Sequence, residues 1–184
     1  IGITGTNGKT TATYLVKSVL ESLGRKVGLI GTNQNMIGTE VIPSKHTTPD
    51  SLELMQLFSQ MAEKGAEYVV MEVSSHSLAL DRVTACRFDV GAFTNITQDH
   101  LDFHKTMENY LAAKKKLFFQ SKRAVVNADD PHFASITEGL DIPLTTFGIR
   151  EKADFFANDI EITTAGAQFA MRTPEGSINI KISI

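Results

Sequence analysis

The chain has 184 residues, 42% hydrophobic and 21% charged, the make-up of an ordinary soluble globular domain. Its formal net charge of −3 gives no electrostatic reason to expect nucleic acid or an anionic membrane as a partner. No apolar run approaches the roughly 20 residues that cross a bilayer, no signal peptide precedes the first strand, and the lone Cys86 cannot form an internal disulfide, so the expected setting is a reducing cytoplasm.

The first few residues read as a short apolar strand running into Gly5-Thr6-Asn7-Gly8-Lys9-Thr10-Thr11 and then into a helix-forming run. Glycines let the backbone curl so that several N–H groups face one anion, and the following helix adds its positive end. Lys9 can reach terminal phosphates, and the Thr10 hydroxyl can bind a magnesium ion. The stretch is therefore read as a nucleotide-phosphate cradle, with one departure: Ile3 stands where the usual G-x-x-x-x-G-K-[ST] pattern has its first glycine. With that loop so near the start and no initiating Met, the chain is expected to be part of something larger.

Thr10 to Leu23 predicts an amphipathic helix with Ala12, Leu15, Val16, Val19, Leu20 and Leu23 on its apolar face, stopped by Gly24. Lys26 to Ile30 follows as a buried strand, and residues 33–42 as an irregular hairpin. In Thr47-Thr48-Pro49-Asp50-Ser51 we expect Thr48 as N-cap and Pro49 as first helical residue, with Leu54, Met55, Phe58, Met61 and Ala62 buried. Thr47 and Thr48 fit capping alone, and they also fit an anionic substrate group at a helix N-terminus.

Tyr68 to Val73 is a near-continuous apolar strand, as in a parallel strand buried on both faces, interrupted by Glu72. A buried carboxylate needs a cation or strong donors. Ligands of open α/β sheets bind at strand ends, so Glu72 is either a ligand of the ion that Thr10 touches or half of a structural salt bridge. Ser74-Ser75-His76 follows directly, with Arg82 a short helix later. Phe88 to Asn95 is another strand, and Gln98 to His104 then gathers Asp99, His100, Asp102 and His104, a cluster that suggests metal or phosphate chemistry. His100 is the better ligand candidate of the two imidazoles, and the spacing is not that of a zinc site.

The helix from about Met107 to Phe119 puts Met107, Tyr110, Leu111, Leu117 and Phe118 on its apolar face, and Lys114 falls on the same stripe while Lys115 and Lys116 turn outward. Either Lys114 snorkels to water, or chemistry neutralises or reverses its charge. Arg123 to Asn127 and Leu144 to Ile149 close the main sheet, and Asn127-Ala128-Asp129-Asp130-Pro131 makes a turn and helix cap. From Asp154 on, Ile160, Ile162, Phe169, Met171, Ile178, Ile180 and Ile182 alternate with polar residues around a Thr173-Pro174-Glu175-Gly176 turn, which predicts a small antiparallel sheet.

Together the Gly5 to Thr11 loop, Thr47-Thr48-Pro49, Met71-Glu72-Val73-Ser74-Ser75-His76, Thr94-Asn95, Asp99-His100-Leu101-Asp102, Ala112-Ala113-Lys114 and Asn127-Ala128-Asp129-Asp130 resemble the central domain of the Mur ligases. These enzymes use ATP to form amides in peptidoglycan precursor synthesis. The finer likeness is to members that add the third stem-peptide residue, meso-diaminopimelate or L-lysine, to UDP-N-acetylmuramoyl-L-alanyl-D-glutamate. The resemblance covers nearly everything up to about residue 150, and it accounts for the glycine spacing at Ile3.

It implies an α/β fold: a P-loop-containing, mostly parallel sheet flanked by helices, with a small antiparallel appendage. Residues 1–150 would be the ATP-binding core and 151–184 the appendage, with uridine-binding and amino-acid-binding domains lying outside this chain. It further implies ATP and Mg2+ as cofactors. Gly5, Thr6, Asn7, Gly8, Lys9, Thr10 and Thr11 would hold the phosphates, with Asn127 near the adenine. Thr10, Glu72, His100 and a carbamylated Lys114 would hold the metal, and Lys9, Glu72, His100 and Lys114 would serve catalysis. His46, Thr47, Thr48, Ser74 and Arg82 would meet the UDP-linked dipeptide, although His46 and Leu80 replace amides carried by related enzymes.

The partners expected are that dipeptide, a free amino acid and the flanking domains; a monomer is expected, with no nucleic acid or membrane. The fragment alone is expected to fold but not to form the amide. Ser74 and Ser75 are read as substrate contacts, since no Gly-x-Ser-x-Gly elbow surrounds them. The competing readings are another ligase on this scaffold, of the Mur or folylpolyglutamate type, and a generic P-loop NTPase. Against the latter stand the missing Asn-Lys-x-Asp and a lone Glu where the common pattern has Asp.

Overall fold

The structure is a computed structural model and describes residues 1–183. The strands are β1 (Gly2–Thr4), β2 (Val27–Ile30), β3 (Asn35–Ile37), β4 (Glu40–Ile42), β5 (Tyr68–Glu72), β6 (Gly91–Phe93), β7 (Ala124–Asn127), β8 (Leu144–Gly148), β9 (Phe155–Thr163), β10 (Gly166–Thr173) and β11 (Gly176–Ser183). The helices are α1 (Lys9–Ser22), α2 (Ser51–Glu63), α3 (Ser75–Ala79), α4 (Leu101–His104), α5 (Met107–Phe119) and α6 (Phe133–Thr137). Among the described residues no helix is long and apolar enough to cross a membrane.

Among the described residues one sheet contains every strand, in the order β11-β10-β9-β8-β7-β6-β1-β5-β2-β3-β4. The central run from β2 to β8 is parallel, with β1 between β5 and β6. The tail is an antiparallel meander as expected, but it is not a separate sheet: β9 joins β8 in parallel through Phe147↔Phe155 and Gly148↔Phe156. Residues 35–42 form a regular hairpin, turned at Gly38 with φ 59 and added to the opposite edge next to β2.

Alternate residues of a buried strand serve opposite faces. On β5, Val70 packs with Ile3 and Val27 beneath Ala12, Val16 and Leu20 of α1. Its neighbours Val69 and Met71 join Leu54, Leu57 and Met61 of α2 and Leu117 of α5 on the other side. Tyr110 and Phe118 of α5 continue that layer over Phe93, Val126 and Ile136. Fully burying one such side chain contributes roughly 1.5–3 kcal/mol.

Three helix expectations are corrected. On α1, Leu15, Val19 and Leu23 are exposed, because only Ala12, Val16 and Leu20 reach the sheet and the expected stripe is wider than the contact. Lys17 is buried on that helix instead, paired with Glu21 one turn on at 2.6 Å. On α2, Leu57 takes the buried place given to Met55 and Ala62, which are exposed. Its N-cap is Asp50, whose carboxylate accepts from the Glu53 N–H at 3.0 Å. Thr48 cannot cap because its hydroxyl is turned to the end of β5, where it donates to the Glu72 carbonyl at 2.8 Å.

Candidate functional site

The exits of β1, β2, β5, β6 and β7 converge on one rim. After β1 the chain curls through Gly5 and Gly8, and α1 starts at Lys9. Gly8 caps that helix with φ 82, a left-handed conformation glycine adopts freely. At Gly5 the constraint is space: a Cβ there would lie 1.9 Å from the Thr94 hydroxyl. Ile3, where the usual motif has glycine, is instead a core residue of β1, 2% exposed. Gly2 likewise belongs to the strand.

Residues leaving β6 hold the loop. The Asn95 side chain accepts from the Asn7 N–H at 2.9 Å and donates to the Asn7 carbonyl at 3.1 Å. Thr94 donates to the same carbonyl at 2.7 Å, and the Thr6 N–H reaches the Asn95 carbonyl at 2.8 Å. Lys9 folds over the loop, its ammonium donating to the Gly5 and Thr6 carbonyls at 2.9 Å each. Burial lowers its pKa, against the attraction of Glu72 and Asp99. Thr11 is exposed on the first turn of α1.

Glu72 ends β5 only 1% exposed, and among the described residues it forms no salt bridge. Its carboxylate is satisfied by threonines instead: Thr10 donates to Oε2 at 3.0 Å, while Thr32 donates its N–H to Oε1 at 2.8 Å and its hydroxyl to Oε2 at 3.1 Å. Thr32, just past β2, escaped the sequence reading; its position at the exit of the strand beside β5 was the available signal.

Lys114 is 1% exposed, so it does not snorkel. Its ammonium lies 4.4 Å from the Tyr110 ring centroid. Burial, then repulsion by Lys9, lowers its pKa to about 7 despite Asp99. The Tyr110 hydroxyl is 3.1 Å from the Thr6 hydroxyl, which ties the lysine's helix to the glycine loop. The two candidate imidazoles divide cleanly. His104 is buried, with Nε2 2.9 Å from Ser75 Oγ and its ring stacked on Tyr110. His100 is exposed in a left-handed turn with φ 52, its ring edge-on to His76 at 4.8 Å and Nε2 3.5 Å from Asp99. Burial lowers the pKa of both His76 and His104, and the neighbouring imidazoles add to it.

Thr48 is 1% exposed, and its hydroxyl also accepts from the Ser74 N–H at 3.0 Å, while Ser74 Oγ caps α3 by accepting from Ser77 at 3.1 Å. Thr47 is half-buried with its hydroxyl 3.0 Å from that of Thr32. His46 is exposed and Arg82 half-buried; among the described residues the Arg82 guanidinium forms no ion pair. Asn127 is held at the end of β7, donating to the Thr94 carbonyl at 2.8 Å and accepting from the Asp129 N–H at 2.9 Å. Beside it lies a mostly apolar cavity of about 340 Å³ lined by Phe147, Phe155, Phe169 and Met171 among others. Asp130, buried, accepts from the Ile96 N–H at 2.7 Å and so braces the same rim.

Among the described residues no group of three or more His, Cys, Asp or Glu is placed to hold a metal. Glu72 and Thr10 supply one carboxylate and one hydroxyl, and neither His100 nor Lys114 hydrogen-bonds to Glu72. Magnesium keeps several waters and takes one or two carboxylates along with phosphate oxygens. The donors at the β5 exit therefore fit a magnesium ion that arrives with a triphosphate, and do not fit a metal held by the chain alone.

A family model described as the Mur ligase middle domain matches residues 3–184. The chain is 50% identical to the UDP-N-acetylmuramoyl-L-alanyl-D-glutamate--2,6-diaminopimelate ligase of Caldanaerobacter subterraneus subsp. tengcongensis, covering 100% of this chain and 38% of that protein. It is 53% identical to the ligase 1 of the same name from Clostridium acetobutylicum, with the same coverage of 100% and 38%. A solved structure of a ligase of this name superposes with a TM-score of 0.90 at 32% identity, over 97% of this chain and 38% of that one. The chain thus spans well under half the length of the curated relatives it matches.

Proposed function

This chain belongs to the family of Mur ligase middle domains, and on that footing we propose that it is the ATP-binding part of an enzyme that adds diaminopimelate to UDP-N-acetylmuramoyl-L-alanyl-D-glutamate. The choice of diaminopimelate over lysine follows the names of the relatives. Uridine-binding and amino-acid-binding domains flank this part in the complete enzyme, which works in the cytoplasm as a monomer.

In this reading the glycine loop and the N-terminus of α1 take the triphosphate, with Lys9 swinging from the Gly5 and Thr6 carbonyls to the phosphates. The adenine lies toward Asn127 and the apolar cavity beside it. Thr10 and Glu72 would hold a magnesium ion that arrives with the triphosphate, with His100 and a carbamylated Lys114 as further candidate holders. The metal supplies charge neutralisation between two anions that must meet. Thr47, Ser74, Arg82 and His46 face the UDP-linked dipeptide, and Thr48, expected there too, lies buried behind them and holds the Ser74 backbone.

The dipeptide carboxylate attacks the γ-phosphorus and the bond to the bridging β,γ-oxygen breaks, releasing ADP and leaving an acyl phosphate. The amine of diaminopimelate then attacks the acyl carbon, phosphate leaves, and the nitrogen loses a proton as the amide forms. Lys9 contributes positive charge where the transferred phosphoryl group gains negative charge. No side chain needs to act as a nucleophile. Ser74 and Ser75 are already engaged with Ser77 and His104, consistent with a positioning part.

The observation that carries the proposal is Lys114: a lysine 1% exposed, beside the phosphate loop, with an amine pKa of about 7. A neutral amine is the form that combines with carbon dioxide, and the carbamate replaces a cation that Lys9 repels with an anion that it attracts. The test is ADP release by the full-length protein with and without the UDP-linked dipeptide and diaminopimelate. ATP hydrolysis indifferent to both substrates would refute the reading.

A further inference from the structure

We propose that Thr32 is a positioning residue of this site, fixing both oxygens of Glu72 so that the carboxylate faces the divalent cation brought by the nucleotide. The inference rests on the ligase reading of the same rim. A carboxylate has two oxygens and rotates about its last bond unless both are held. Thr32 holds both, with its N–H on Oε1 at 2.8 Å and its hydroxyl on Oε2 at 3.1 Å. Thr10 shares Oε2 at 3.0 Å, but in the ligase reading its hydroxyl oxygen would turn to the cation. Thr32 is then the donor that stays.

The surroundings are shaped for this contact. Gly31 leaves the space: a Cβ there would stand 2.5 Å from Glu72 Oε1. The Asn35 side chain, 1% exposed, accepts from the Gly31 N–H at 3.3 Å and closes the turn that carries Thr32. The Thr32 hydroxyl is within donating reach of both Glu72 Oε2 at 3.1 Å and the Thr47 hydroxyl at 3.0 Å, and of the two the charged carboxylate is the stronger acceptor for its one proton. A continuous line therefore runs from Thr10 through Glu72 and Thr32 to Thr47, from the phosphate loop to the edge where the second substrate is proposed to lie. Its members come from α1, β5, the exit of β2 and the segment before α2.

The test uses the full-length protein, Mn2+ as probe and a β,γ-imido analogue of ATP, with free Mn2+ read by electron paramagnetic resonance. A hydrogen bond to a charged group is worth enough that Thr32→Val should weaken Mn2+ uptake about tenfold, while analogue binding without divalent ions stays within about twofold. Thr32→Ser, which keeps the hydroxyl, should hold Mn2+ within about threefold of wild type. Thr32→Ala carries the same expectation as valine and covers the case in which valine disturbs the turn. Wild-type Mn2+ affinity in both deletion variants, or an equal loss in Thr32→Ser, overturns the assignment. So does a lowered melting temperature with no change in Mn2+ uptake, since that marks a structural role alone. If the wild-type protein binds Mn2+ with the analogue but forms no amide, the ligase reading falls and the Thr32 comparison still decides. A wild-type protein that takes up no Mn2+ with the analogue overturns both.

Discussion

The Lys114 ammonium lies 4.4 Å from the centre of the Tyr110 ring, and the Tyr110 hydroxyl lies 3.1 Å from the hydroxyl of Thr6 in the glycine loop. Through this one tyrosine the buried lysine is registered against the loop, and its protonation becomes part of the fold's energetics. Burial takes its amine pKa from 10.5 to about 7. Between those values the unfolded chain binds more protons than the folded one, so stability rises with pH across the interval, by at most about 1.4 kcal/mol per unit. Below about pH 7 the full penalty of a buried charge applies. Lys114→Met should flatten that rise. Urea unfolding of both proteins in carbon dioxide-free buffer across the interval checks it, and parallel pH profiles would contradict the burial argument.

With bicarbonate present, the neutral amine should form a carbamate visible by carbon NMR with labelled bicarbonate, and the signal should be missing in Lys114→Ala. In the full-length enzyme the same variant should lose amide formation about tenfold or more, the scale expected when metal support is removed. Short carboxylic acids should restore part of the rate. An undiminished rate would return Lys114 to an ordinary core lysine.

Gly5 and Gly8 both have positive φ, 151 and 82, yet their substitution should differ. A Cβ at Gly8 meets nothing within 4 Å, so Gly8→Ala bears mainly the left-handed backbone cost of about 1–2 kcal/mol. At Gly5 it would collide with Thr94 Oγ1 at 1.9 Å, in the contact that staples the loop to β6. Nucleotide affinity should therefore fall further in Gly5→Ala than in Gly8→Ala, by about tenfold or more. Calorimetric titration of both variants decides it, and equal losses would mean the staple does not shape the cradle.

How far the site could be read from residues alone depends on where each constraint arises. The loop between β1 and α1 was legible because its glycines, Lys9 and Thr10 are neighbours in sequence and the turn they make is local. Glu72 and Lys114 were legible as contradictions, charges on apolar stripes that the structure leaves 1% exposed. Thr32 was not, because its partner is 40 residues away and only the pairing of β2 with β5 brings them together. The same holds for the tail, whose alternation predicted a meander but could not show that Phe155 would pair with Phe147. On α1 the apolar residues outnumber what one sheet face can cover, so Leu15, Val19 and Leu23 were misassigned.

The imidazoles give the last prediction, because sequence alone barely separates them and geometry does. His104 is buried, its Nε2 hydrogen-bonded to Ser75 and its ring stacked on Tyr110, so it braces the helices that carry Lys114 and Ser75. His100 is exposed and bonds to little beyond Asp99. His104→Ala should therefore lower stability by about 1–3 kcal/mol, from the unpaired Ser75 hydroxyl and the lost ring. His100→Ala should leave stability within about 0.5 kcal/mol, as surface changes do, while lowering amide formation. Denaturant unfolding and ligation rates on both variants separate the roles. A His104 variant of wild-type stability, or a His100 variant of wild-type rate, would reverse the assignment, since a ring free to reach an ion cannot also be the one that holds α3 to α5.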